Sequence, residues 1–188
     1  MKTMKTMKTM KFLTATVFTS LLFIGCSDDD APKAVNEEEV ITTLTVTLVP
    51  EDGGTEVILQ TRDLDGDGPD APVINTGNLA AGVTYVGSIV LLNETEDPAE
   101  NITEEVEEES DVHQFFYTTT GGLDVTTSYD NFDSNGDYLG TEFTLVAGAV
   151  STGTLTFTLR HEPTKPNTGL EDAGGESDII ATFDVSVQ

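Results

Sequence analysis

Threonine alternates with aliphatic residues in T-L-T-V-T-L-V (43–49), and the same two-residue period returns in G-T-L-T-F-T-L-R (153–160) and A-T-F-D-V-S-V (181–187). A side chain reverses face at every residue of a strand, so this pattern gives each segment one apolar and one polar surface. Leu44, Val46 and Leu48 share a face and the threonines between them share the other. Weaker runs of the same kind predict strands from Glu56 to Thr61, Val83 to Leu92, His113 to Thr119, Leu123 to Tyr129 and Thr141 to Val146. Gly53-Gly54, Gly121-Gly122 and Ala147-Gly148 fall between runs and predict hairpins. Short strands with one inward face each describe an all-β fold, an antiparallel sandwich of seven to eight strands, over 40–188.

One segment breaks the pattern. E-D-P-A-E-N-I-T-E-E-V-E-E-E-S-D (96–111) is crowded with acids, Pro98 is placed to open a short helix, and Ile102 and Val106 lie one helical turn apart. A solvated acidic crossing of the sandwich edge is the expected form, with Glu104, Glu105, Glu108 and Asp111 as the alternative, a second cation-attracting surface.

The start of the chain has another character. Lys2, Lys5, Lys8 and Lys11 precede an apolar stretch from Phe12 to Ile24 that is short for a bilayer span, and Gly25-Cys26 follows. Residues 1–25 are expected to be an export signal. Residues 26–39 are polar, acidic and expected to be a flexible tether. Without the leader, Lys33, Arg62, Arg160 and Lys165 face 34 acids, a formal charge of −30. Such a surface repels nucleic acid and anionic headgroups. Cys26 is the single cysteine, so a disulfide within the chain is excluded.

Three stretches carry resemblances. Gly25-Cys26 after the apolar run resembles the lipobox of bacterial lipoproteins, with Phe23 and Ile24 where leucine and a small residue are usual. The resemblance implies lipidation of Cys26, and acyl chains at about 0.8 kcal/mol per buried methylene then supply the membrane affinity. Ser27-Asp28-Asp29-Asp30 resembles the acidic export signal of surface lipoproteins, which implies an outer-membrane anchor displayed at the cell surface rather than on the periplasmic side. N-L-A-A-G-V-T-Y (78–85) resembles the tyrosine corner of fibronectin type III domains, which implies structural roles for Leu79, Gly82 and Tyr85 in a sandwich of immunoglobulin or fibronectin type. Taken with D-L-D-G-D-G-P-D-A-P (63–72), N-I-T-E-E-V-E-E-E (101–109), H-Q-F-F-Y (113–117) and R-H-E-P (160–163), nearly the whole chain is similar to a family of secreted lipoproteins from Bacteroidota-type bacteria.

The candidate chemistry lies in the acidic loops. Asp63, Asp65 and Asp67 occupy positions one, three and five of a curled loop with Gly68 at six, the opening half of a calcium loop, and Asp70 is placed to give a backbone carbonyl. Position twelve is Ile74, so an EF-hand is rejected. Calcium is the expected ion, as a stabiliser; a polar turn built on Asp-Gly pairs is the competing reading. Asp133, Asn135 and Asp137, with Asp130 nearby, echo the spacing more weakly, and D-S-N-G-D also reads as a hairpin turn. His113 and His161 each sit where a strand meets a loop and read as solvent-facing or capping residues. No nucleophile elbow, H-E-x-x-H helix or phosphate-cradling glycine loop is present. The expectation is a lipid-anchored binding or structural module without catalysis, contacting the membrane through its lipid alone. The alternatives are an accessory protein of an outer-membrane uptake system, which implies an outer-membrane protein partner or a small ligand, and a carboxylate-dependent hydrolase.

Overall fold

The computed structural model describes residues 39–66 and 68–188. The predicted export signal, Cys26, the tether up to residue 38 and Asp67 lie outside the described residues. Two sheets face each other. The larger contains β1 (Thr43–Pro50), β2 (Val57–Arg62), β3 (Val73–Asn75), β5 (Thr84–Asn93), β6 (Glu100–Asn101), β8 (Val125–Tyr129) and β9 (Glu142–Ala147). The smaller contains β4 (Asn78–Leu79), β7 (His113–Thr120), β10 (Ser151–His161) and β11 (Glu176–Val187). Their orders are β3-β2-β1-β5-β9-β8, with β6 added on β5, and β4-β11-β10-β7. Only β4 runs parallel to its neighbour, β11. The fold is an all-β sandwich, as the alternation predicts.

Inward positions of the two sheets meet in one core. Leu44, Val46, Leu48, Ile89, Leu91, Phe143 and Leu145 come from the larger sheet, and Phe115, Leu155, Phe157, Leu159 and Phe183 from the smaller, all essentially without solvent contact. Helix α1 (Ile102–Glu108) closes one end by burying Ile102 and Val106, while the Thr103 hydroxyl accepts a hydrogen bond from the Leu91 N–H at 2.7 Å. A second short helix, α2 (Leu170–Ala173), precedes β11.

The architecture departs from expectation in three ways. All eight predicted strands form and three more are added, β3, β4 and β6, which have two or three residues and are too short to display a period. Gly53-Gly54 does turn a hairpin, but Gly121-Gly122 and Ala147-Gly148 connect strands in opposite sheets, so each is a crossover. The acidic helix begins at Ile102 and not at Pro98.

The corner at 78–85 crosses between sheets. Leu79 and Tyr85 are buried, the Ala80 N–H donates to the Tyr85 hydroxyl at 2.8 Å, and Gly82 takes the left-handed φ of +75° that a Cβ would disfavour. On the larger sheet's outer face, Arg62 grips Glu94 through Nε and Nη2 at 2.7–3.1 Å. Hydrogen bonds from Arg62 and then Thr43, with the guanidinium charge, hold the Glu94 carboxyl at about 2. A depressed carboxylate stabilises the fold above its ordinary pKa, and that stabilisation disappears as pH falls through the folded value. Thermal melts of the wild type from pH 5 to pH 2 are therefore expected to lose more stability than melts of Arg62→Met. Parallel acid limbs would disprove the assignment.

Candidate metal centre

Four side chains from distant parts of the sequence converge inside the α1 end of the sandwich. Glu39 precedes β1, His113 opens β7, His161 closes β10 and Asp178 lies near the start of β11. One potential ligand atom from each lies within 4.8 Å of all the others. The closest approaches are His113 Nε2 to Glu39 Oε1 at 3.1 Å, His161 Nδ1 to Glu39 Oε2 at 3.7 Å and His161 Nδ1 to Asp178 Oδ1 at 3.9 Å. No side chain of the four is more than 6% exposed.

Strand parity delivers the histidines. His113, Phe115 and Tyr117 share one face of β7, and Leu155, Phe157, Leu159 and His161 share one face of β10. The antiparallel register pairs His113 with His161, and their rings meet edge to face at 4.6 Å between centroids. Both are buried, which corrects the expectation of solvent-facing or capping residues. Each sits at a strand terminus, but on its inward face. The signal was present in H-x-F-x-Y and L-x-F-x-L-x-H, where each histidine continues the apolar alternation.

Asp178 arrives by another route. On β11, Ile179, Ala181, Phe183 and Val185 face inward, so an even-numbered residue belongs outside. Leu159 pairs with Ile179 but Arg160 pairs with Ser177, so β11 carries one extra residue opposite that step. A bulge of this kind re-aims a side chain. Here it brings Asp178 into the interior. Glu39, inside the acidic run of the tether, shows no sequence sign of this role.

The electrostatics of the cluster favour a cation. His113 Nδ1 lies 3.2 Å from the Glu109 carbonyl, and a carbonyl only accepts, so Nδ1 carries the proton. Burial pushes the His113 pKa down, and this outweighs the opposing pull of Glu39. The neutral ring then aims its Nε2 lone pair at a carboxylate oxygen. A proton shared between them or a metal ion turns that repulsion into attraction.

The predicted loops look different. The Asp63 carboxylate accepts the Gly66 N–H at 3.0 Å and the Asp65 carboxylate accepts the Asp70 N–H at 3.2 Å, both as turn-forming bonds at the surface. Among the described residues, no three of Asp63, Asp65 and Asp70 bring ligand atoms together as the buried cluster does. At the echo, Asp133 is buried and receives the backbone N–H groups of Asn135 and Asp137, and its cation is the Lys165 ammonium at 3.2 Å. Asp130 instead accepts from Thr144 at 2.7 Å. Glu104 and Glu108 are exposed on α1, and Asn101 donates to Glu104 at 3.0 Å. The Glu105 carboxyl is pushed up, by burial first and then by Glu39, Glu109, Glu100 and Glu108.

At the other end of the strands an open groove of about 570 Å³ runs between the β1–β2 turn and the tyrosine corner, lined by Pro50, Gly53, Val57, Ile58, Val83 and Tyr85 among others. No helix among the described residues is long and apolar enough to cross a membrane. No protein-family model matches the chain, and neither a curated protein nor a solved structure matches it.

Proposed function

We propose that the protein is a lipid-anchored module of the bacterial outer membrane, held by Cys26 and its acidic tether, that binds or scaffolds and does not catalyse. The observation that carries the reading is the burial of its acid–base centre. Glu39, His113, His161 and Asp178 form the one group of three or more converging His, Asp and Glu side chains among the described residues, and none of these side chains is more than 6% exposed. A closed set of ligands builds structure; a catalytic metal keeps a position open. Calcium at Asp63, Asp65 and Asp67, with the Asp70 carbonyl, belongs to the same proposal, supported by the one, three, five spacing of the three aspartates.

A second reading, an uptake accessory that captures a small ligand, is favoured by the groove at the corner end. Its volume and its glycine, proline and valine lining suit a small, partly apolar molecule. The test of the anchor is metabolic labelling with a radioactive fatty acid. The wild type is expected to take up label and remain with the outer-membrane fraction, and Cys26→Ala to do neither. Equal fractionation of the two would remove the anchor, and protease treatment of intact cells reports which side of the membrane the sandwich faces.

A further inference from the structure

We propose that Glu39, His113, His161 and Asp178 bind one divalent ion of the zinc class, and that this ion fastens the end of the tether to the three main strands of the smaller sheet. The site rests on the sandwich geometry alone; only its consequence for the tether rests on the envelope reading.

The donor set selects the metal. Two imidazole nitrogens and two carboxylate oxygens make a four-coordinate site for a borderline cation. Calcium asks for six to eight oxygens, and these four residues offer too few, with two nitrogens among them. Size agrees. Metal–ligand bonds of 2.0–2.2 Å in a tetrahedron separate neighbouring ligand atoms by about 3.3–3.6 Å. The shortest approaches, 3.1, 3.7 and 3.9 Å, use both Glu39 oxygens, and one atom from each residue lies within 4.8 Å of the rest, so side-chain shifts of about 1 Å bring the four to that spacing.

The surroundings are arranged as metal ligands require. The Glu109 carbonyl fixes the His113 tautomer and turns Nε2 toward the centre, the outer-shell contact that orients a ligating histidine. Register locks the two imidazoles side by side, and the bulge spends one residue of β11 to present Asp178. Glu105 and Glu108 on α1, with Glu100 of β6 before it and Glu109 just after it, attract cations toward this end.

Glu39 gives the site its consequence. It alone among the four lies outside every strand, 74 residues before His113 in the chain, and it follows directly on the acidic run. A bound ion therefore closes the sandwich over the entry of the chain. Without the ion, the Glu39 carboxylate faces Asp178 and a lone pair across the same small space, and the stretch from Glu39 to Ile41, ahead of the hydrogen bonds that tie Thr42 to Leu92, Asp63 and Glu94, is the part that lifts away. Loading precedes docking of that segment, because the closed site is sealed.

The test uses the full chain purified in detergent, stripped with chelator and titrated with Zn²⁺ and Co²⁺. One equivalent of Zn²⁺ is expected to bind, Co²⁺ to give the intense visible bands of a tetrahedral site, and excess Ca²⁺ to displace neither. His161→Ala and Asp178→Asn are expected to weaken Zn²⁺ binding by roughly 10- to 100-fold or more. Where a strand variant fails to fold, Glu39→Gln supplies the same readout from outside the sheets, with faster proteolysis before β1. Asp63→Asn/Asp65→Asn is expected to leave Zn²⁺ binding unchanged. Absence of micromolar binding, a six-coordinate Co²⁺ spectrum, displacement by Ca²⁺, or binding lost with the Asp63 loop and kept in Glu39→Gln would each overturn the proposal. Failure of the Cys26 labelling experiment leaves all of these outcomes in place.

Discussion

Phe157→Ala is expected to lower stability by about 3–5 kcal/mol, the usual cost of deleting a large aromatic side chain from a packed interior. Phe157 has no solvent contact and sits at the middle of β10. Its ring touches Tyr117 and Phe143 at 5.7 Å each and Phe183 at 6.0 Å between centroids. Phe143 belongs to the larger sheet and the other three rings to the smaller, so this contact joins the two layers. Edge-to-face and tilted ring geometries add about 0.5–1.5 kcal/mol to what burial alone supplies. For a domain of this size each kcal/mol moves the melting point by about 2–4 °C, giving an expected fall of about 6–20 °C. Phe157→Leu keeps most of the volume and is expected to cost less. Thr152→Ala, on the exposed face of the same strand, is expected to stay within about 0.5 kcal/mol. Urea titration checks the ranking: a Phe157→Ala midpoint indistinguishable from that of Thr152→Ala would mean that this face of β10 does not meet the larger sheet.

The alternation that makes Phe157 predictable also explains which parts of the molecule the sequence conceals. Eight strands are legible because each must keep one face dry, and a residue out of phase costs burial energy at once. Leu44, Val46 and Leu48 announce their strand in this way. The partner of a strand has no such local signature. Gly121-Gly122 and Ala147-Gly148 mark reversals correctly, but the turn chemistry is silent about whether the next strand returns to its own sheet or crosses to the other.

The buried cluster was partly legible. Parity puts His113 and His161 on inward faces, although each stands at a strand end, where a capping or solvent-facing residue is expected. Asp178 was hidden because a bulge reverses phase without altering composition. Glu39 was hidden among acids that look alike. At the Asp63 loop the spacing names a ligand set, and Asp67, one of its three spaced carboxylates, lies outside the described residues.

Asp133→Ala is expected to cost about 3–5 kcal/mol, a penalty incurred when one member of a buried ion pair is removed. The Asp133 and Lys165 side chains are 1% and 6% exposed, and they join the 130–141 loop to the segment before α2. Burial works to raise the Asp133 pKa, but the Asp137 and Asn135 N–H groups and then Lys165 outweigh it, so the carboxyl stays below its usual range. Its contribution is thus present above the ordinary aspartate pKa and is lost as pH falls through the lower folded value. Lys165 also donates to the Ser110 carbonyl at 2.6 Å, and burial draws its own pKa down despite Asp133. In Asp133→Ala this ammonium keeps the Ser110 carbonyl and the more distant charges of Asp137 and Asp111 but loses its paired carboxylate, and the two backbone donors lose theirs. Lys165→Met removes the lysine's need for a partner and leaves Asp133 its two N–H groups, so its cost is expected to be smaller. The double variant Asp133→Ala/Lys165→Met is therefore expected to be more stable than Asp133→Ala alone, which denaturant titration of all four proteins measures as a coupling energy. Strict additivity would show that the two charges do not depend on each other. Recovery of Lys165→Met by added calcium would show instead that a metal ion can take the place of the lysine in this turn.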